Sequence, residues 1–129
     1  MASLAEENYL RALYEIIEKK GSARPKDLVR TLDVSAPSVT EMLQKLANLG
    51  LINYQKRKEI SLTAKGRKKA IALKARYQIF LKLFKMAGVS STIAYADSCR
   101  IENQLSAETV SKLAEFMERL EKTMLCKKL

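Results

Sequence analysis

Apolar residues recur along most of this chain at the three-and-four spacing of helices, and two short runs near the middle alternate instead. Leu10, Leu13, Tyr14 and Ile17 follow the capping-box signature Ser3-Leu4-Ala5-Glu6, which predicts a first helix over about residues 4–20, closed by Gly21. Pro25 stands where a first-turn proline opens a short helix carrying Leu28, Val29 and Leu32. Ser35 or Ala36 caps a third helix, with Pro37 in its first turn, Val39, Met42, Leu43 and Leu46 on one side, and Gly50 at its end.

LINYQ and EISLT then flank the basic tip Lys56-Arg57-Lys58, as strands flank the loop of a hairpin. Thr63 is the expected N-cap of a long helix reaching Met86, with a buried stripe at Ile71, Ala75, Ile79, Leu83 and Met86; Gly66 weakens its first turn only mildly. A fifth helix is predicted over roughly 91–104. Ser106 caps a sixth, along which Val110, Leu113, Met117, Leu120 and Met124 recur. Three helices followed by a hairpin make the order of a winged helix-turn-helix, so the expected fold is mainly α with a small β-hairpin wing.

Charge adds a partner to this picture. The chain of 129 residues carries a formal net charge of +10, and residues 56–76 hold nine Lys or Arg side chains against Glu59 alone. Such a cluster suits a polyanion. In a winged helix-turn-helix the third helix enters the major groove, and here its polar face carries Ser38, Thr40, Glu41, Gln44 and Lys45. Gln44 can bond adenine bidentately, Glu41 can accept from cytosine, and the hydroxyls of Ser35 and Ser38 suit phosphate oxygens at the helix start. Lys56, Arg57 and Lys58 of the wing complete the expected contacts with double-stranded DNA.

Other classes fit less well. The chain has no histidine, glycine-rich phosphate loop or nucleophile-base constellation, so an enzyme is not expected. No run approaches a membrane span, and the N-terminus carries neither the apolar core nor the cleavage signal of a secretory peptide; a soluble, cytoplasmic protein with reduced thiols is expected. A membrane-surface role would rest on the basic first half of the fourth helix alone. Aromatic content is low for that role, and Phe80 and Phe84 are better explained by dimer packing. A winged helix serving only as a protein-interaction module would keep the fold without the wing's charge. One further feature is Cys99 and Glu102, three apart on a helix: a thiolate and a carboxylate on one face can hold a divalent metal.

From EENYLRALYEIIEKKGSAR through SAPSVTEMLQKLANLGLI and LTAKGRKKA to ADSCRIENQLS, the chain resembles the diphtheria-toxin-repressor/manganese-transport-regulator (DtxR/MntR) family nearly end to end. The resemblance implies a metal-dependent repressor that binds a palindromic operator as a homodimer, in the compact form without the SH3-like domain of the larger members. It implies a DNA-binding domain over 1–70 and a helical dimerisation domain over 71–129.

The same resemblance places Cys99 and Glu102 at ligand positions of the iron-type members. Asn8 stands where those use methionine and manganese-type members use aspartate. Asn103 and Tyr77 replace histidines, and Arg11 replaces a glutamate. The second family site, with Tyr77, Leu81 and Tyr95 at its positions, looks absent. Three readings follow: a regulator that no longer needs metal, with Arg11 pairing with Glu102 in place of the ion; altered and weak binding of manganese or iron; or thiol sensing through Cys99. The first reading calls for no cofactor, and the second for weakly held manganese or iron.

Overall fold

The computed structural model describes residues 3–102 and 104–128, the last three as backbone. Among them α1 (Leu4–Lys20), α2 (Pro25–Leu32), α3 (Ala36–Asn48), β1 (Ile52–Asn53), β2 (Ser61–Leu62), α4 (Ala64–Met86), α5 (Ser91–Ile101) and α6 (Ala107–Lys128) follow in order. The chain divides into two compact units, Met1–Leu73 and Lys74–Leu129, and α4 contributes to both.

In the first unit the helix ends are set by local chemistry. The Ser3 hydroxyl accepts from the Glu6 N–H at 3.2 Å while the Glu6 carboxylate accepts from the Ser3 N–H at 3.0 Å, closing the capping box. Gly21 ends α1 at a φ of 86°, a conformation glycine adopts without steric cost. Pro25 opens α2, and the carboxylate of Asp27 reaches back to the Arg24 N–H and to the Lys20 ammonium, both at 2.9 Å.

That pairing makes a testable pH signature. The Lys20 ammonium first, and then the Arg24 N–H, hold the Asp27 carboxyl below the usual carboxylate range. A folded pKa below the unfolded one gives stability that is fully present above about pH 4 and is lost as pH falls through the folded value. Asp27→Asn is expected to cost about 1–2 kcal/mol at neutral pH and less at pH 2. Urea titrations showing equal losses at both pH values would contradict the assignment.

The core of this unit gathers Leu10 and Leu13 of α1, Leu28 of α2, Val39, Leu43 and Leu46 of α3, Ile52 and Ile60 of the hairpin, and Ala70 and Leu73 of α4. Full burial of each large aliphatic side chain contributes roughly 1.5–3 kcal/mol. The hairpin is shorter than its sequence suggests. β1 and β2 pair antiparallel over only Ile52↔Leu62 and Asn53↔Ser61, and a single bridge between Ala23 and Ile60 anchors the wing to the loop after α1.

In the second unit Tyr77 and Phe80 of α4, Ala94 and Ser98 of α5, and Val110 and Met117 of α6 are buried. Two expectations are corrected. The buried stripe of α4 is Ala70, Leu73, Tyr77 and Phe80, whereas Ile71, Ala75 and Met86 of the expected stripe are exposed and Ile79 and Leu83 half-buried. A helix with apolar residues on two faces has a spacing pattern that does not say which face turns inward. Phe80 accordingly belongs to the core of one chain rather than to a surface awaiting a second copy; Phe84 is half-buried. α5 ends at Ile101, not near 104. Among the described residues, no helix is long and apolar enough to cross a membrane.

Candidate nucleic-acid interface

Helix α3 turns Val39, Leu43 and Leu46 fully inward, which directs the opposite face outward. Ser35, Ser38, Glu41, Gln44 and Lys45 are all exposed on it, as is Asn48, one turn beyond Gln44 and Lys45. Ser35 caps the helix: its hydroxyl accepts from the Ser38 N–H at 3.2 Å, and the two hydroxyls share a 2.8 Å hydrogen bond. Thr40 is half-buried, and its hydroxyl donates to the Ala36 carbonyl at 3.2 Å. Its oxygen and methyl group are what it can offer a ligand.

The wing tip is a turn in which the Lys58 N–H donates to the Gln55 carbonyl at 3.1 Å, with Arg57 at a φ of 65°. Lys56, Arg57 and Lys58 are exposed there. With Arg24, Pro25 and Lys26 at the start of α2, and with Tyr54, they line a cleft of about 340 Å³. Five cationic side chains therefore meet around one concavity. Arg24 also lies 3.7 Å from Glu59, a loose pair between half-exposed side chains. Arg24 and Lys26 were not among the residues predicted from the sequence. Their spacing around Pro25 reads as a helix start, and it is the Ala23–Ile60 bridge, with the Arg24–Glu59 pair, that brings that start beside the wing.

The charge of α4 is used differently. Lys65 donates to the Leu49 carbonyl at 3.2 Å, and Arg67 pairs with Glu18 at 3.4 Å while lying over the Tyr14 ring, 5.8 Å from its centre. Arg76 is turned toward Glu102. Lys65, Arg67 and Arg76 are therefore engaged within the protein, and the wing carries exposed charge of its own.

The positions read as former metal ligands lie on α1 and at the end of α5. Asn8 is half-buried, and its amide oxygen accepts from both terminal nitrogens of the buried Arg11, at 2.7 and 3.3 Å. Cys99 is half-buried and Glu102 fully buried. Arg76 Nε stands 3.5 Å from Glu102 Oε2, and the same guanidinium donates to the Glu102 carbonyl at 2.8 and 3.2 Å. Tyr77 and Tyr95 meet edge to face, their ring centres 5.6 Å apart. Asn103 lies outside the described residues, as does the Cys126 side chain. Among the described residues, no three His, Cys, Asp or Glu side chains gather where a metal ion could be held.

Comparison with known proteins sets this geometry in context. Residues 1–60 match the family described as iron dependent repressor, N-terminal DNA binding domain, and residues 63–127 match iron dependent repressor, metal binding and dimerisation domain. The HTH-type transcriptional regulator MntR of Shouchella clausii is 33% identical over 118 residues, covering 92% of this chain and 82% of that protein. Its counterpart from Lysinibacillus sphaericus is 32% identical, covering 94% and 87%. Among solved structures, the manganese regulator SloR superposes with a TM-score of 0.75 at 26% identity, over 88% of this chain and 53% of that one. The metal-dependent transcriptional regulator MtsR gives 0.76 at 26% identity, with the same coverage. The chain thus spans about half the length of these solved structures.

Proposed function

The chain belongs to the iron-dependent repressor (DtxR/MntR) family of helix-turn-helix transcriptional regulators, which are not enzymes, and from that premise we propose that it binds a palindromic operator as a homodimer without requiring metal. It acts in the cytoplasm, where the chromosome is. Ser35, Ser38, Thr40, Glu41, Gln44 and Lys45 of α3 face the major groove, while Lys56, Arg57 and Lys58 hold the backbone beside it. Two-fold symmetry of the dimer requires two half-sites related by inversion. Exposed apolar side chains on the second unit, Phe116, Met124 and Leu125 of α6 and Met86 of α4, supply the surface for the second copy.

The observation that carries the metal-independent reading is the donor set itself. A divalent ion of the manganese or iron class needs several oxygen, nitrogen or sulfur donors at one point. At the positions the resemblance assigns to ligands, this chain offers the thiol of Cys99, the carboxylate of Glu102 and the amide of Asn8, whose oxygen already receives the Arg11 guanidinium. Arginine stays charged at all physiological pH values, so it cannot report metal supply. We assign Arg11 the role of a permanent positive charge in place of the ion.

The test is selection of bound DNA from random duplexes, first in chelator and then with manganese(II) or iron(II). An inverted repeat recovered in chelator, bound equally well after metal is added and more weakly by Arg11→Ala, is the expected result. A tenfold or greater gain on adding metal, abolished by Cys99→Ala or Glu102→Ala, would restore the metal sensor.

A further inference from the structure

Helix α5 ends in a buried concentration of negative potential. The Glu102 carboxylate is wholly buried, the Glu102 carbonyl lies at the end of the helix among groups that have no partner inside it, and the Leu105 carbonyl follows in the turn toward α6. One guanidinium meets all three. Arg76, one turn before Phe80 on α4, lies 3.5 Å from Oε2 of Glu102, donates twice to the Glu102 carbonyl, and reaches the Leu105 carbonyl at 3.4 Å.

We infer that Arg76 is a built-in cation that neutralises Glu102 and locks the α5–α6 turn onto α4, so that this carboxylate serves a fixed structural pairing and not a divalent ion. The inference deepens the metal-independent reading given above and rests on it only for its bearing on DNA; the pairing itself lies within the second unit. Three arguments support it. A buried carboxylate demands a nearby opposite charge, because burial of an unpaired ion costs several kcal/mol. A planar fork of N–H donors suits one carboxylate and two carbonyls at once, which a lysine ammonium or a single ligand bond would not reproduce. A divalent cation placed at the same carboxylate would face the positive charge of Arg76 at a few ångströms in a poorly screened interior. Arg76 thereby ties α4 to the α5–α6 turn at Glu102 through a side chain of the protein.

The test is a double-mutant cycle read by thermal unfolding of the full chain, in chelator and in millimolar manganese(II). Arg76→Met is expected to lower Tm by about 10 °C, since it strips a cation from a buried carboxylate. Glu102→Gln in the same chain removes the charge that needs compensation, and Arg76→Met/Glu102→Gln should recover about half of that loss. If Arg76→Met fails to fold, a double variant that folds gives the same answer. Manganese should leave the wild-type Tm unchanged. A double variant no more stable than Arg76→Met would overturn the inference, as would a manganese-induced rise in the wild-type Tm that Glu102→Gln abolishes. DNA affinity separates the two proposals: a coupled cycle with flat Tm in manganese, alongside operator binding that still requires metal, would leave the Arg76 pairing standing and remove the metal-independent function.

Discussion

Gly66→Ala should destabilise the DNA-binding unit by about 3–5 kcal/mol and lower Tm by on the order of 10 °C, although helix propensity alone argues for a gain of nearly 1 kcal/mol. The sign is decided by what lies beside the residue. Gly66 is in the first turn of α4, where the helix crosses the backbone of Leu51, and a methyl group there would overlap the carbonyl oxygen of Leu51 and crowd its carbonyl carbon. Neither side can yield easily. The Leu51 carbonyl accepts from the Thr63 N–H at 3.1 Å, the Thr63 hydroxyl donates to the Gly50 carbonyl at 2.6 Å, and the Gly66 N–H donates to that same hydroxyl at 3.0 Å. Moving α4 away would break the cap, worth about 1 kcal/mol, and uncover Ala70 and Leu73, which complete the core. Against a total stability of roughly 5–15 kcal/mol such a loss is large. Urea unfolding of Gly66→Ala with an unchanged or higher midpoint would show that the crossing relaxes freely.

Replacing Lys56, Arg57 and Lys58 together by alanine should weaken binding to every DNA sequence by about a hundredfold at physiological salt. The slope of log K against log salt should become shallower by about 2.7. Each cation that neutralises a phosphate releases close to 0.9 of a counterion, so three contacts account for both figures. The three side chains are exposed at the tip of a two-residue ladder, and none enters the core, so the fold should be untouched. Gln44→Ala makes the contrast. It lies on the exposed face of α3 and should lose discrimination at one base position, on the order of 1–3 kcal/mol, with the salt slope unchanged. Fluorescence anisotropy across a salt series on specific and random duplexes reads both. If the triple variant affected only the specific duplex, the wing would be reading bases and not phosphates.

These two cases mark where reading the sequence stops. Ser3 and Glu6, Gly21, Pro25, Ser35 and Ser106 act on groups within four residues of themselves, so the helix boundaries they set could be read directly; the caps at Ser3, Ser35 and Ser106 all form as their residue types predict. The inward residues of α3 were equally plain, because that helix has one apolar side; α1 is buried on more than the predicted side, with Tyr9, Ala12 and Ile16 inward as well and Ile17 only half-buried. The outward face of α3 followed from its inward residues by geometry, and with it the candidate residues for the major groove. The hydrophobic pattern and the short-range caps, then, determined the helices, the winged order and the polar face, since all of these depend on residues no more than a turn or two apart.

Tertiary structure decided the rest. Which of two apolar stripes of α4 is buried, why Gly66 cannot carry a side chain, how Arg24 and Lys26 come beside the wing, and which cation meets Glu102 are all questions of which distant segments are neighbours. Arg76 and Glu102 are 26 positions apart, and Gly66 meets a backbone 15 positions earlier. No periodicity carries such pairings, because they are set by helix crossings and turn geometry after the local elements have formed. A guanidinium or a missing Cβ acquires its role only from the atoms that packing brings within reach.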